Sequence, residues 1–249
     1  GWVSGNALAM FSSAAIGQSR KDVRTYDSAA SWGAKLVVTY STGSVTTSTS
    51  TTSLPTSTTS SVTTSTSTTS QVTFQVALQV GVGSDDCVKT VQYGSSFSTA
   101  YQAMGISDPS SAREAGWRFR NVNIPNGARI VSAVIQVAAD QSQSATSTVT
   151  LKGDFEDNCA TFSTLADFDG RARTGSSVTW VLPGWTATSW YSSSDVSSIV
   201  QEIVNRPGWV SGNALAMFSS AAIGQSRKDV RTYDSAASWG AKLVVTYST

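Results

Sequence analysis

Val72, Phe74, Val76, Leu78, Val80 and Val82 alternate with Thr73, Gln75, Ala77, Gln79 and Gly81. A period of two predicts a long strand with one face turned to a core. Shorter runs of the same kind predict strands at 117–122, at 130–138 after the Pro125-Asn126-Gly127 turn, and at 148–155, 178–182, 214–219 and 242–247. Many short strands separated by turn signals make an all-β fold, a β-sandwich. The period changes once. Asp195 stands as a cap before Val196, Ile199, Val200, Ile203 and Val204, an apolar stripe at helical spacing, and Pro207-Gly208 stops it. This single short helix is expected over one end of the sandwich.

Comparison of the chain with itself changes what its two ends mean. Residues 1–42 recur without a substitution as 208–249, an offset of 207 positions. Diverged domains would differ somewhere over such a length, so the simplest account is a window on a perfect tandem array with 43–249 as its unit. Residues 1–42 then supply C-terminal strands that complete the preceding repeat. Alone they would expose unpaired strand edges and an apolar face. Strand donation between separate protomers is the alternative, and both arrangements build a head-to-tail fibre whose partner is the chain itself.

Between the copies, 43–70 contains SVTTSTSTTS twice, around LPTSTTS, and from 44 onward no charged or aromatic residue. So little apolar surface does not offset the ordering of the backbone, about 1–2 kcal/mol per residue. The segment reads as an extended Ser/Thr-rich linker with the composition of an O-glycosylated stalk. Candidate attachment sites are Thr46, Thr47, Ser48, Thr49, Ser50, Thr51 and Thr52, then Thr56, Thr58 and Thr59 beyond Pro55, then Thr63, Thr64, Thr66, Thr68 and Thr69. An extended linker reaches on the order of 80 Å. No Asn-x-Ser/Thr sequon occurs, so covalent N-linked sugar is not expected.

Composition narrows the function classes. Charged residues are 13% of the chain, about half the usual share, and the net charge is +1. No basic cluster stands out to hold nucleic acid, and no apolar run is long enough to span a bilayer. Histidine is absent, which removes the commonest general base and zinc ligand. Neither a nucleophile elbow nor a phosphate loop appears, so an enzyme is not expected. The polar, charge-poor surface suits an extracellular or cell-surface location.

The runs GWRFRNVNIPNGARIVSAVIQV, DVSSIVQEIVNRPGW with SGNAL, and RTYDSAASWGAKLVVTY resemble the DNRLRE-like, carbohydrate-binding-module-like jelly-roll domains of secreted bacterial surface proteins. The likeness spans nearly all of 71–249 and implies a jelly-roll β-sandwich used for display, with no activity attached. Cys87 and Cys159 depart from that pattern, standing where such domains more often carry alanine. Two cysteines in similar acidic contexts read as one disulfide, which closes a loop of roughly 70 residues and stabilises by about 4 kcal/mol in an oxidising compartment; two buried thiols are the other reading. Around them stand Asp85, Asp86, Asp154, Glu156 and Asp157. Brought together, Asp85, Asp86, Asp154 and Asp157 are candidate ligands for a structural calcium, with Arg or Lys partners equally open. A carboxylate pair for glycosidase chemistry lacks a cleft motif.

The leading expectation is a structural repeat of an extracellular filament or stalk, with no cofactor beyond covalent glycans and that possible calcium. The alternative is a polysaccharide-binding adhesin module, with Trp185 and Trp190 as candidate sugar platforms. Most of the eight tryptophans are expected in core and rim packing.

Overall fold

The computed structural model describes residues 72–91, 95–106, 111–221 and 226–249. The duplicated segment 1–42, the linker and its candidate glycosylation sites lie outside the described residues.

The all-β expectation holds: two antiparallel sheets pack face to face. One sheet is built from β1 (Thr73–Gln79), β12 (Lys242–Ser248), β6 (Arg129–Ala138) and β9 (Trp190–Ser192), in that order. The other runs β11 (Lys228–Val230), β4 (Gln102–Ile106), β5 (Ala112–Phe119), β10 (Leu215–Ala221), β7 (Ser147–Gly153) and β8 (Val178–Leu182). To β5 of this second sheet is added β2 (Asp86–Val91), which carries β3 (Ser96–Ser98). The alternation read from the sequence is kept in β12 and weakens along β1, where Val76 and Leu78 are partly buried but Val72 and Phe74 are exposed. In β12, Leu243, Val245 and Tyr247 are buried while Lys242, Val244 and Thr246 are only partly so. Trp117, Phe119, Ile130, Ile135, Leu151, Trp180, Leu182 and Met217 join them in one continuous core.

The expected helix is α2 (Ser197–Val204), and Ile199, Val200, Ile203 and Val204 are its buried stripe. Asp195 does not cap it as a single residue before the first turn. It lies one position further out, accepting from the Ser197 N–H and from the Ala133 N–H of β6, so it ties the helix entry to the sheet. The helix packs on β6 of one sheet and β7 of the other, filling the gap between them. Gly153 of β7 makes this possible, since a Cβ there would lie 2.6 Å from Ile203 Cδ1 and 2.9 Å from Ile199 Cγ2.

A second layer covers the outer face of the larger sheet. After β7 the chain makes an excursion through 154–177 that contains a six-residue helix, α1 (Leu165–Gly170), with Thr164 Oγ1 accepting from the Asp167 N–H at its start. Phe162 and Phe168 press onto Cys87, Ala216 and Phe218 as a separate buried cluster. Gly116 is required beneath it. A Cβ at this position would meet Cys87 Sγ at 2.8 Å and Phe162 Cζ at 2.9 Å.

Candidate functional site

The segment 208–249, which the sequence repeats at 1–42, is woven into the middle of both sheets. β10 lies between β5 and β7, and β12 lies between β1 and β6. At its start, Trp209 is 2% exposed and its indole N–H donates to the Ile124 carbonyl at 2.9 Å. Further along, Ser219 Oγ accepts from the Ala115 N–H. Lys228 in β11 donates to the carbonyls of Gln143 and Ala145 and lies over the Trp185 ring. Gln143 and Asp229 bond each other twice. Burying Trp209, Leu215, Met217, Phe218, Leu243 and Val245 at roughly 1.5–3 kcal/mol each contributes on the order of 10 kcal/mol or more. That equals the whole net stability of a typical domain, about 5–15 kcal/mol. The remaining body, 71–207, therefore depends on a set of strands of this sequence.

Each of the four carboxylates proposed for calcium is engaged by a protein donor. Asp85 is ion-paired to Arg118 at 2.9 Å and to Arg120 at 3.2 Å, and it accepts from Thr161 Oγ1 at 2.8 Å. Asp154 is paired with Arg171 at 3.0 Å and Asp157 with Arg206 at 2.7 Å. Asp86 accepts the Tyr233 N–H. The two acidic stretches do converge, for Phe162 N–H donates to the Ser84 carbonyl beside that Thr161 contact. Among the described residues, however, no three His, Cys, Asp or Glu gather as a metal-binding group. No arginine was singled out from the sequence; the signal passed over is two R-x-R pairs, Arg118/Arg120 and Arg171/Arg173, in a chain poor in charge, while Arg206 stands in no such pair.

Arg171 is the hub of the excursion. Its guanidinium reaches Asp154, both oxygens of Asp167 and the carbonyls of Ala160 and Thr161, and lies 4.6 Å from the centre of the Phe162 ring. Arg173 lies 3.4 Å from the Phe218 ring centre.

The expected disulfide is not formed. Cys87 and Cys159 share the Phe162/Phe168/Phe218 cluster as two free, buried thiols. Burial holds the Cys87 thiol well above its ordinary range, and burial together with Asp154 pushes Cys159 up to about 12. Few thiolates form at neutral pH, and the thiolate is the reactive species. Native protein at pH 8 is expected to react with a colorimetric disulfide reagent more than a hundredfold more slowly than unfolded protein, which releases two thiols per chain. Unfolded, unreduced protein that yields no thiol would overturn the free pair.

The tryptophans named as sugar platforms are occupied. Trp185 is 3% exposed and stacks on Tyr191. Trp190 stacks on Trp239 with Lys242 over its ring, and Arg231 lies over Trp239. A depression of about 670 Å³ lies elsewhere, lined by Phe155, Asp157, Glu202, Asn205, Arg206, Pro207 and Gly208. Phe155 is 38% exposed there, with the Arg206 guanidinium 4.0 Å from its ring centre.

No family model matches the chain, and no curated protein does. Among the described residues no helix is long and apolar enough to cross a membrane.

Proposed function

We propose that the chain is a structural repeat of an extracellular filament or surface stalk, joined head-to-tail to neighbouring copies of itself and spaced by an O-glycosylated Ser/Thr linker. The observation that carries this reading is the position of the duplicated sequence. The segment 208–249 gives each sheet an internal strand, so an identical segment at 1–42 has the chemistry to complete another body of the same kind. One body and two strand sets balance when the additional set closes a neighbouring body. The low charge, the linker composition and the resemblance to displayed jelly-roll domains agree with an exported polymer.

A covalent array is the favoured form, and strand donation between protomers is the other. Denaturing electrophoresis of native material, deglycosylated and reduced, separates them: a ladder or very large species for the array, a single band of one protomer for donation. Imaging should show beads at regular spacing with non-protein density over the Ser/Thr segments. Isolated monomers in native material would sink the filament.

Polysaccharide binding is a second reading, and what favours it is the depression around Phe155, where an exposed ring stands beside Asp157 and Asn205. Glycan-array binding abolished by Phe155→Ala would support it, and no binding by the parent chain would exclude it.

A further inference from the structure

We infer that the end of the sandwich around Arg113 binds a sulfate or phosphate group, with the Arg113 guanidinium and the Ser147 hydroxyl as its donors. The site is separate from the depression at Phe155 and does not depend on polymerisation.

In β5, Arg113, Ala115 and Trp117 share one face. Ala115 and Trp117 belong to the core, so the Arg113 side chain is turned inward at the end of it. Gly105 of β4 stands directly opposite Arg113, and opposed positions share a face with their Cβ atoms about 5 Å apart. Gly105 has a φ of +82° and no side chain; a Cβ there would meet Ser147 Oγ at 2.6 Å. Ser147 Oγ therefore lies within about 8 Å of the Arg113 Cβ, a gap closed by a guanidinium and an anion hydrogen-bonded between the two side chains.

Arg113 is 9% exposed and Ser147 2%. Neither Nε nor Nη1 of Arg113 has a hydrogen-bond partner, nor does Ser147 Oγ, and among the described residues no carboxylate is ion-paired with Arg113. Other inward cations are matched: Lys228 by the Gln143 and Ala145 carbonyls, Arg171 by Asp154 and Asp167. Arginine does not shed its proton in a protein, so a buried guanidinium without a counter-ion is costly to the fold. A group that bears negative charge and several acceptor oxygens removes that cost through charge-assisted hydrogen bonds. Nε and Nη1 lie on different edges of the guanidinium, and with the Ser147 hydroxyl they make three donor directions, which the oxygens of a tetrahedral group meet better than those of a planar carboxylate. The small exposed part of Arg113 gives such a group access from solvent.

The test titrates the full chain with sodium sulfate. The Arg113 Nε–H resonance, identified by its loss in Arg113→Met, should move saturably with sulfate and not with chloride at equal ionic strength. Ser147→Ala should weaken the apparent affinity about tenfold. Arg113→Met keeps an apolar stem and removes an unmatched charge, so in chloride its Tm should be no lower than that of the parent. In sulfate the parent should gain on it, because binding to the folded state adds stability. A sugar monosulfate that moves the same resonance at lower concentration than sulfate makes a glycan the carrier of the group; one that acts only at higher concentration makes the ligand the free ion. A resonance that sulfate and phosphate move no more than chloride does would overturn the site. So would an Arg113→Met chain less stable than the parent in chloride, which would mean that the guanidinium is already satisfied, or one that gains as much from sulfate as the parent, which is the general effect of an excluded salt.

Discussion

Replacing Arg171 by alanine is expected to destabilise the fold by about 3–5 kcal/mol, the largest effect of any single charged side chain in the excursion. Asp154 is 1% exposed, and its Oδ1 has no hydrogen-bond partner; Arg171 alone, on Oδ2, neutralises it at close range. Burial pushes the Asp154 carboxyl above its ordinary range, even though Arg171 and, more weakly, Arg173 pull it down. Without Arg171 the carboxylate is left buried, and the Ala160 and Thr161 carbonyls lose their donor. The penalty carries a pH signature. An acid whose folded pKa is raised binds its proton more tightly folded than unfolded, so the loss shrinks as pH falls and the carboxyl becomes neutral. Urea unfolding of Arg171→Ala at pH 8 and pH 4.5 measures it. A double variant, Arg171→Met with Asp154→Leu, should recover most of the loss, since apolar replacement of a whole buried pair is often near neutral. A single-variant penalty below about 1 kcal/mol, or one that grows toward acid, would remove Arg171 as the hub.

How far the sequence announced this architecture depends on which faces of each strand are covered. β8 and β12 were legible because buried and less buried positions alternate along them, whereas β1 was read from its sequence period although its first half is exposed. The predicted 178–182 coincides with β8, and the predicted 242–247 stops one residue short of β12. β2 was not, because both of its faces are buried: Val88, fully buried, stands opposite Ala115 of the main core while Cys87 lies under the phenylalanines of the excursion. Its sequence, DCVKTV, carries no alternation to find. Gln102 in β4 misleads in the same way, a polar residue wholly inside that donates to the Cys87 and Gly116 carbonyls and accepts from the Trp117 indole. Convergence of the acidic stretches was expected only through a disulfide that is absent, and which arginines neutralise them was not legible, since Asp85 and Arg118 lie 33 residues apart and Asp157 and Arg206 lie 49 apart. The duplication was plain as text. That it places an internal strand in each sheet is a fact of topology, and no local pattern encodes it.

The second large effect concerns Asp86, and its sign runs against the usual behaviour of a native carboxylate. Asp86 is fully buried on the core-facing side of β2, opposite Trp117. Its Oδ2 accepts the Tyr233 N–H and its Oδ1 has no hydrogen-bond partner. The nearby arginines, Arg118 and Arg120, are engaged by Asp85. Burial, aided by the charges of Asp234 and Asp85, raises the Asp86 pKa from 3.8 to about 7 despite the Tyr233 bond. Below pH 4 the group is protonated in both states and costs nothing. Between pH 4 and 7 the unfolded chain releases the proton while the folded chain keeps it, so stability falls as pH rises through this window and then levels off. A shift of this size amounts to roughly 4 kcal/mol, an order-of-magnitude ceiling. Asp86→Asn keeps an acceptor for Tyr233 and removes the charge, but buries an amide donor that offsets about 1–3 kcal/mol of the gain. The variant is expected to be more stable than the parent by about 1–3 kcal/mol at pH 8, and to lose that advantage at pH 4. Urea midpoints across pH 4–8 decide it: a parent whose stability rises between pH 4 and 7, or an Asn variant weaker at pH 8, would mean that Asp86 is ionised and satisfied in the fold.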